Sequence, residues 1–312
     1  MLRLDDHWVW DSWHAEDDHG RRHVFFLYAP RALLDADRRH HNARIGHAIS
    51  SDLRSWQRTR DALTPVEQPG WDDLATWTGC VVQGPDRRWY MFYTGVRRSE
   101  HGLVQRIGLA VSQDLTTWHR HGPDPVVEAD PTWYERLDLD AWYEEAWRDP
   151  WVFADPDGRG WHMLITARAN HGPARERGVI GHARSPDLVH WTVGPPLSVP
   201  AGFGHLEVPQ VVVIDGQPVL LFCTNAIGTS REGATDRIWT ATGPTVLGPW
   251  DVPQAQPFSH PSLYAPRLVC DLDGSLALIG FVDHVDSRFV GELTDPIRAR
   301  YSISAGLTAA VA

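Results

Sequence analysis

The sequence predicts an all-β fold, a five-bladed β-propeller, because one strand pattern recurs along the chain and tight-turn signals recur with it. Three segments share an apolar strand, a Ser-Xaa-Asp turn and a closing Trp: residues 45–56 (IGHAISSDLRSW), 107–118 (IGLAVSQDLTTW) and 180–191 (IGHARSPDLVHW). A weaker fourth copy spans residues 238–250 (IWTATGPTVLGPW). Internal repeats of this kind are typical of folds built by repeating one unit.

Five units can be counted from a second feature, an apolar run bounded by turn residues, which is the pattern of a well-buried strand. The runs are HVFFLYA, WYMFYTG, WHMLITA, PVLLFCT and LALIGFV, beginning at His23, Trp89, Trp161, Pro218 and Leu276. Each run follows a turn signal (DDHG, GPDR, DPDG, IDG or DLDG), mostly of the Asp-Gly kind that closes a hairpin between two strands. Five such hairpins predict five blades.

A common register gives the start of each blade. Counting back nine residues from the turn glycines at positions 20, 158, 216 and 274 leads to Asp11, Asp149, Glu207 and Ala265, and Thr78 in TWTGCVV holds the equivalent place in the second unit. These five positions are separated by 67, 71, 58 and 58 residues. Each interval accommodates four short strands, whereas a β-sandwich would not require five copies of one strand order. We therefore expect residues 1–312 to form a single propeller domain without a C-terminal β-sandwich.

Composition argues against two classes of partner. The net charge is -11 and no stretch concentrates Lys and Arg, so nucleic acid is not expected to bind. No apolar run approaches the ~20 residues that a membrane-spanning helix needs, so no membrane contact is expected either. The first residues, MLRLDDHW, lack the apolar core of a secretory signal. These features favour a cytoplasmic protein, and the sequence makes no prediction of its oligomeric state.

Cysteine and histidine give no sign of a metal site. Cys80, Cys223 and Cys270 lie in apolar, strand-like runs without metal-ligand spacing, and we expect them to be small buried thiols. The 17 His residues are scattered along the chain. We predict no metal and no cofactor.

Acidic residues occupy three of the five blade-start positions: Asp11, Asp149 and Glu207. The inner strands of a propeller converge on its axis, so residues in one register approach one another at one mouth. A single carboxylate there could simply bond to backbone or to Arg, but three at one axis repel and shift one another's pKa values. Glycosidic bond cleavage needs one protonated and one ionised carboxyl group, which such a cluster provides. The cluster thus predicts a small-molecule carbohydrate as the partner.

Motifs in all five blades resemble those of clan J of the glycoside hydrolases, families 32 and 68, the group of the invertases, inulinases and levansucrases. In blade one, VWDSW resembles the nucleophile strand of family 68 and corresponds to the WMNDPNG strand of family 32, and FFLYAP is similar to FYQYNP. In blade two, WTGCVV is similar to FSGSAVV. In blades three to five, RDP at 148–150 matches the family's RDP motif, EVP at 207–209 is similar to ECP, and YAP at 264–266 is similar to FYAPQ.

The resemblance implies a retaining β-fructofuranosidase that acts on sucrose or fructo-oligosaccharides, with water or a second sugar as acceptor. Asp11 is then the nucleophile and Glu207 the acid/base, while Asp149 binds ring hydroxyls and stabilises the transition state. Substrate-binding residues are expected at six further positions: Trp10, Trp13, Trp77, Thr78, Arg148 and Tyr264. For Trp13, packing between adjacent blades explains the sequence equally well.

Some positions depart from the family pattern. Leu27 stands where family 32 has a substrate-binding Gln, and Val208 replaces the Cys of ECP. VWDSW favours family 68, whereas GHAISSDL and YAP favour family 32. One alternative is a family 43-like inverting arabinofuranosidase or xylosidase, in which Asp11 is a general base and Asp149 a pKa modulator. Another is a sugar-binding propeller without turnover.

A long insertion at residues 123–147 carries further acids, among them Asp138, Asp140, Glu144 and Glu145. Runs of charge are usually solvated surfaces. We therefore expect these four residues on an exposed loop, outside the site.

Overall fold

The computed structural model describes residues 1–225, 230, 237–258 and 260–309, which form five four-stranded antiparallel sheets. The first strands of consecutive sheets contact one another, and the first strand of the fifth sheet contacts that of the first. Five inner strands therefore close a ring, with one sheet radiating from each. This is a five-bladed β-propeller, and the predicted fold class is confirmed.

Blades one and two lie in the first 120 residues. Blade one contains β1 (His7–Glu16), β2 (Arg22–Pro30), β3 (Arg44–Ser50) and β4 (Gln57–Arg58). Blade two contains β5 (Ala75–Gln83), β6 (Trp89–Val96), β7 (Gln105–Ser112) and β8 (His119–Arg120).

The other three blades repeat this order. Blade three contains β9 (Trp147–Ala154), β10 (Trp161–Arg168), β11 (Gly178–Ser185) and β12 (Thr192–Gly194). Blade four contains β13 (Glu207–Ile214), β14 (Gln217–Cys223), β15 (Ile238–Thr242) and β16 (Gln256–Phe258). Blade five contains β17 (Leu263–Cys270), β18 (Leu276–Val282), β21 (Ile297–Ser302) and β22 (Gly306–Ala309), and the short hairpin β19 (His284–Val285) and β20 (Arg288–Phe289) is inserted in it.

Among the residues that the structure describes, the helical segments are short 3-10 turns between strands. They span Arg31–Leu33, Ala36–Asn42, Arg98–Glu100, Ala174–Glu176 and Val252–Gln254. Within the part of the chain that the structure describes, none of the helices has the length and apolarity to cross a membrane.

The repeated Ser-Xaa-Asp segment forms one local structure in blades one to three. In blade one, Asp52 accepts hydrogen bonds from the hydroxyl of Ser50 and from the backbone N–H groups of Arg54 and Ser55, at 2.6–2.9 Å. Asp114 and Asp187 repeat these contacts in blades two and three. The carboxylate satisfies backbone donors at the turn after the third strand, which explains why Ser and Asp recur at this spacing.

A β-bulge interrupts each of the five inner strands at the same height. The extra residue is Asp11 in β1 and Thr78 in β5. In β9, β13 and β17 two residues lie opposite one, and the second of the two is a proline, at 150, 209 and 266. Proline cannot donate a ladder hydrogen bond, so it favours a bulge at that position.

Four of the five bulges contain a non-glycine residue with left-handed backbone. Asp11, Asp149, Val208 and Ala265 have φ values of 33°, 56°, 52° and 42°. Left-handed backbone is unfavourable for residues with a Cβ, most of all for β-branched Val, and it is typical of functional sites. The ring of bulges therefore indicates a functional site at the axis of the propeller.

The predicted register is wrong by one residue in blade four. The residue equivalent to Asp11 and Asp149 is Val208, and Glu207 instead precedes the bulge, paired with Cys223. The hairpin between β13 and β14 closes through Asp215 and Gly216 alone, so it is shorter than its counterparts and a fixed count of nine residues overshoots. Glu207 thus shares its register with Trp10, Trp77, Arg148 and Tyr264.

The cysteines only partly follow the prediction of buried thiols. Cys80 and Cys223 are buried free thiols, but Cys270 is free and exposed. Cys270 ends β17, at the edge of a hairpin turn, where its side chain leaves the packed part of the blade.

Candidate active site

A cavity of about 410 Å³ opens where the inner strands converge. Eight of the nine site residues expected from the sequence line it: Trp10, Asp11, Trp77, Thr78, Arg148, Asp149, Glu207 and Tyr264. They belong to all five blades, so the propeller brings together residues that are up to 254 positions apart in the chain.

Trp13 is the exception. It is 1% exposed, it stacks on Phe25 with ring centroids 6.1 Å apart, and it lies against Gly79 of the neighbouring blade. A Cβ at Gly79 would sit only 3.3 Å from the Trp13 ring. The expectation that Trp13 walls the cavity is therefore wrong, because its indole fills the interface between blades one and two.

Asp11 is buried beside other acids. The hydroxyl of Thr78, at the equivalent bulge of blade two, donates a hydrogen bond to Oδ2 of Asp11. Burial, with a further contribution from the negative charge of Asp149, raises the pKa of Asp11 to about 7. The carboxyl group is therefore partly protonated and partly ionised near neutral pH.

Asp149 is fixed by contacts on several sides. Its Oδ2 accepts hydrogen bonds from the hydroxyl of Thr166 at 2.9 Å and from the backbone N–H of Val208 at 3.1 Å. Its own N–H donates to the hydroxyl of Thr94 at 3.1 Å. Burial raises the pKa of Asp149, and the nearby guanidinium of Arg148 opposes that rise. Such contacts hold the carboxylate in one orientation toward the cavity.

Glu207 receives two donors from its neighbours in register. Arg148 Nη2 lies 2.9 Å from Glu207 Oε1, and the hydroxyl of Tyr264 donates to Oε2. Burial and the negative charge of Glu207 together raise the pKa of Tyr264, so its hydroxyl keeps its proton and remains a donor. The carboxyl of Glu207 is thus held between blades three and five.

Arg148 connects the acids of the cavity. Its guanidinium lies 2.8 Å from Glu144 and 3.5 Å from Asp149, and its Nη1 donates to Gln105 Oε1 at 2.9 Å. Burial alone would lower the pKa of Arg148, but the carboxylates of Glu144, Glu207 and Asp149 outweigh it and raise the pKa. The side chain is therefore a permanent cation that orients three acids.

The insertion at 123–147 corrects another expectation. Asp138 and Asp140 are exposed as predicted, but the side chains of Glu144 and Glu145 are only 13% and 4% exposed. Glu144 lines the cavity and pairs with Arg148, whereas Glu145 pairs with Arg136 at 2.9 Å. Glu144 lies on a loop and Arg148 on a strand, so their spacing of four residues, which pairs side chains on a helix, gave no signal of this ion pair.

His205 is a second residue that sequence reasoning missed. It is fully buried two positions before Glu207, and Trp142 Nε1 donates a hydrogen bond to its Nε2 at 3.2 Å. Its Nδ1 lies 3.4 Å from Arg148 Nη2 and 3.6 Å from Glu207 Oε1. Burial and the nearby Arg148 hold the pKa of His205 well below its ordinary value, so the ring is neutral. It fills the space behind the Arg148–Glu207 pair.

The other side of the cavity carries two more arginines. Arg237 pairs with Asp283 and lies over the Tyr264 ring, 4.2 Å from its centroid. Arg39, from the 3-10 helix Ala36–Asn42, lies over Phe289 at 4.0 Å, and its buried Nε has no hydrogen-bond partner in the described structure. Leu27 contributes to an apolar stretch of the same wall. Among the described residues, no group of three or more His, Cys, Asp and Glu side chains is placed to hold a metal ion.

Comparison with known proteins gives the family. The family model described as "Glycosyl hydrolases family 32 N-terminal domain" matches residues 7–299. The extracellular sucrase of Zymomonas mobilis is 26% identical over 278 residues, which cover 75% of this chain and 65% of that protein. The sucrose-6-phosphate hydrolase of Pediococcus pentosaceus is 30% identical over 183 residues, covering 58% of this chain and 33% of that protein. The chain thus spans less than two thirds of the length of these relatives.

Among solved structures, the inulosucrase from Halalkalicoccus jeotgali bound to kestose superposes with a TM-score of 0.78. The match covers 98% of this chain and 90% of that one at 21% sequence identity, so it supports the propeller fold. Together with the family match over nearly the whole sequence, these findings confirm the family inferred from the motifs. The chain belongs to glycosyl hydrolase family 32.

Proposed function

We propose that the protein is a retaining β-fructofuranosidase that cleaves sucrose or fructo-oligosaccharides. The observation that carries the proposal is that Asp11 and Glu207, from blades one and four, line one cavity together with Asp149. Relatives named sucrase, invertase and sucrose-6-phosphate hydrolase support the same substrate class. Two carboxyl groups on one sugar site are the minimum that retaining hydrolysis requires.

In the proposed first step, Glu207 donates its proton to the oxygen of the leaving group while ionised Asp11 attacks the anomeric carbon. The glycosidic bond breaks and an ester forms between Asp11 and the fructosyl group. In the second step, Glu207 takes a proton from water, the hydroxide oxygen attacks the anomeric carbon, and Asp11 leaves as a carboxylate. Two inversions at one carbon give net retention.

The neighbouring residues suit these steps. Asp149, held by Thr166 and the Val208 N–H, is positioned to accept hydrogen bonds from ring hydroxyls as positive charge develops on the sugar. Thr78 donates to Asp11 and so keeps its second oxygen available for attack. Arg148 and Tyr264 fix the orientation of Glu207.

The charges of the cavity favour an uncharged sugar over a phosphorylated one. Its described lining contains five carboxyl groups, on Asp11, Glu144, Asp149, Glu207 and Asp283. The same described residues include three arginines, and two of them, Arg148 and Arg237, are already paired with these acids. A phosphate group would therefore meet excess negative charge. We propose sucrose or a fructo-oligosaccharide, without phosphate, as the substrate.

Fructose release tests the proposal. Wild-type protein is incubated with sucrose, and with arabinofuranosides and xylosides that represent the inverting alternative, and the released sugars are quantified. The proposal expects fructose and glucose in equal amounts from sucrose, no arabinose or xylose from the other glycosides, and a loss of release when Asp11 is replaced by Asn. Asp124, which is exposed and is not among the residues that line the cavity, supplies the matched control Asp124→Asn.

Two results would contradict the proposal. Sugar binding without release in the wild type would support the non-catalytic alternative, and full activity in Asp11→Asn would remove the nucleophile. Membership of family 32 already makes the family 43-like alternative the weaker one. Release of arabinose or xylose would support the family 43-like alternative.

A further inference from the structure

A second cavity, of about 600 Å³, lies beside the first on the boundary between blades one and two. Its walls come from the start of β3, from the loop at 64–74 and from the turn after β6. Its lining includes His41, Arg44, Thr64, Glu67 and Leu74. None of the positions predicted from the sequence lies in this cavity.

The two cavities adjoin at one residue, which forms part of the wall of each. His41 is exposed and lines both of them, and Gly102 lines the first. A Cβ at Gly102 would lie 3.1 Å from His41 Nε2 and 3.3 Å from Leu74 Cδ2, and the backbone there is left-handed with φ of 75°. Gly102, His41 and Leu74 therefore meet at a low saddle between the cavities. A larger residue at 102 would raise this saddle.

The first cavity has a buried inner end and an exposed outer end, and the saddle lies at the outer end. Asp149 and Thr78 are almost fully buried at its inner end, whereas His41 and Tyr143 are exposed at its outer end. A fructosyl unit held by the inner carboxylates therefore places its leaving group toward the outer end. A leaving group longer than one sugar must continue beyond it, and the saddle leads to the second cavity.

The second cavity presents two exposed charged side chains, Arg44 and Glu67, that can bind a ligand. Arg44 and Glu67 are exposed, and neither forms an ion pair or side-chain hydrogen bond with the part of the chain that the structure describes. Pro65, Val66 and Leu74 add apolar surface beside them. Charged donors and acceptors next to apolar patches suit the hydroxyls and C–H faces of a sugar chain.

We propose that the second cavity binds the outer sugar units of a fructo-oligosaccharide whose terminal fructosyl unit occupies the first cavity. This inference rests on the proposed function and deepens it: longer β-fructofuranosides are the preferred substrates, and sucrose is too short to reach past the saddle. Arg44 and Glu67 act on binding of the outer units and not on bond cleavage.

The test compares kcat/KM for sucrose and for nystose, a tetrasaccharide with three fructosyl units. The double variant Arg44→Ala/Glu67→Ala is expected to lose about five- to thirtyfold with nystose, the loss that one or two solvent-exposed hydrogen bonds of ordinary strength would give. Its kcat/KM for sucrose should stay within about twofold of wild type. Thr64→Trp, an exposed substitution that fills the cavity, should give the same selective loss. Arg300→Ala, exposed on β21, is the control and should change neither value.

The outcomes separate this inference from the proposed function. Cleavage of sucrose and nystose with equal losses, or with no loss, in both cavity variants would overturn the role of the second cavity and leave the proposed function intact. Failure of the wild type to release fructose from either sugar would overturn the proposed function itself. A selective loss with nystose in both variants supports the inference.

Discussion

The guanidinium of Arg148 lies 2.9 Å from the carboxylate of Glu207, and the two residues occupy the same register on neighbouring inner strands. The pairing follows from the bulges, which place the residue before each bulge toward the axis of the propeller. Because the same guanidinium also contacts Glu144 and Asp149, one cation orients both the proposed acid/base and the proposed hydroxyl-binding acid.

Replacing Arg148 by Lys should lower kcat by roughly 100-fold, about 2.7 kcal/mol in activation free energy. A single ammonium group cannot donate to Glu144 and Glu207 from a fixed planar fork. Steady-state kinetics with sucrose measure the loss. Arg106 also pairs with two carboxylates, Glu100 and Glu128, but does not line the cavity, so Arg106→Lys is the matched control. Equal effects of the two substitutions would remove the special role of Arg148.

The pH dependence of kcat/KM should show an acid limb near pH 7. Asp11 attacks only when ionised, and burial with the charge of Asp149 raises the pKa of Asp11 to about 7. Activity should therefore fall about tenfold per pH unit below that value. In Asp149→Asn one source of the raised pKa disappears, so the limb of the residual activity should move to lower pH. An acid limb near pH 4 in the wild type would contradict this assignment.

Asp11→Asn should stabilise the fold at alkaline pH but not at acidic pH. The folded state binds the Asp11 proton more tightly than the unfolded chain, so ionised Asp11 costs stability progressively as pH rises from about 4 to about 7, by at most about 4 kcal/mol. Thermal unfolding at pH 4 and pH 8 measures the difference. Asp187 is a contrast, because backbone N–H groups lower its pKa, and Asp187→Asn should destabilise at pH 8. A variant of Asp11 that is less stable than wild type at pH 8 would argue against this description.

His205 should act as a positioning residue behind Arg148 and Glu207. His205→Ala should lower kcat by roughly tenfold with KM changed less than about twofold, because the acid/base loses its support while the sugar-binding surface remains. His205→Gln should restore part of the loss, since its amide can accept from Trp142 and donate toward Glu207. His121, which is exposed and outside the cavity lining, provides the control His121→Ala. Identical kinetics for the Ala and Gln variants would indicate a role limited to packing.

Much of the fold could be predicted because the turn chemistry is local. The Asp-Gly hairpins and the Ser-Xaa-Asp turns each need particular residues at fixed spacing, so their repetition reveals the blades. The register of Glu207 could not be obtained by counting, because a single shorter turn at Asp215 and Gly216 changes the distance from turn to bulge. The pairing of β13 with β14 is what identifies Val208 as the bulge.

Site residues on the inner strands could be predicted from the sequence, whereas those on loops could not. Eight predicted residues line the cavity because strand register places them there. Glu144 reaches the cavity and His205 packs behind the Arg148–Glu207 pair, both from connections between strands, and nothing in their local sequence indicates the contacts that bury them. Trp13 is the opposite case, a predicted site residue that lies outside the cavity. It is two positions after the bulge and packs between blades.

The stereochemistry of fructosyl transfer decides whether a covalent intermediate forms on Asp11. Sucrose is cleaved in the presence of methanol, and the anomeric configuration of the methyl fructofuranoside is determined by NMR before any secondary reaction. Attack by Asp11 with acid/base catalysis by Glu207 predicts the β anomer, because two successive displacements restore the configuration of the substrate. Formation of the α anomer would show a single displacement and contradict a covalent intermediate on Asp11.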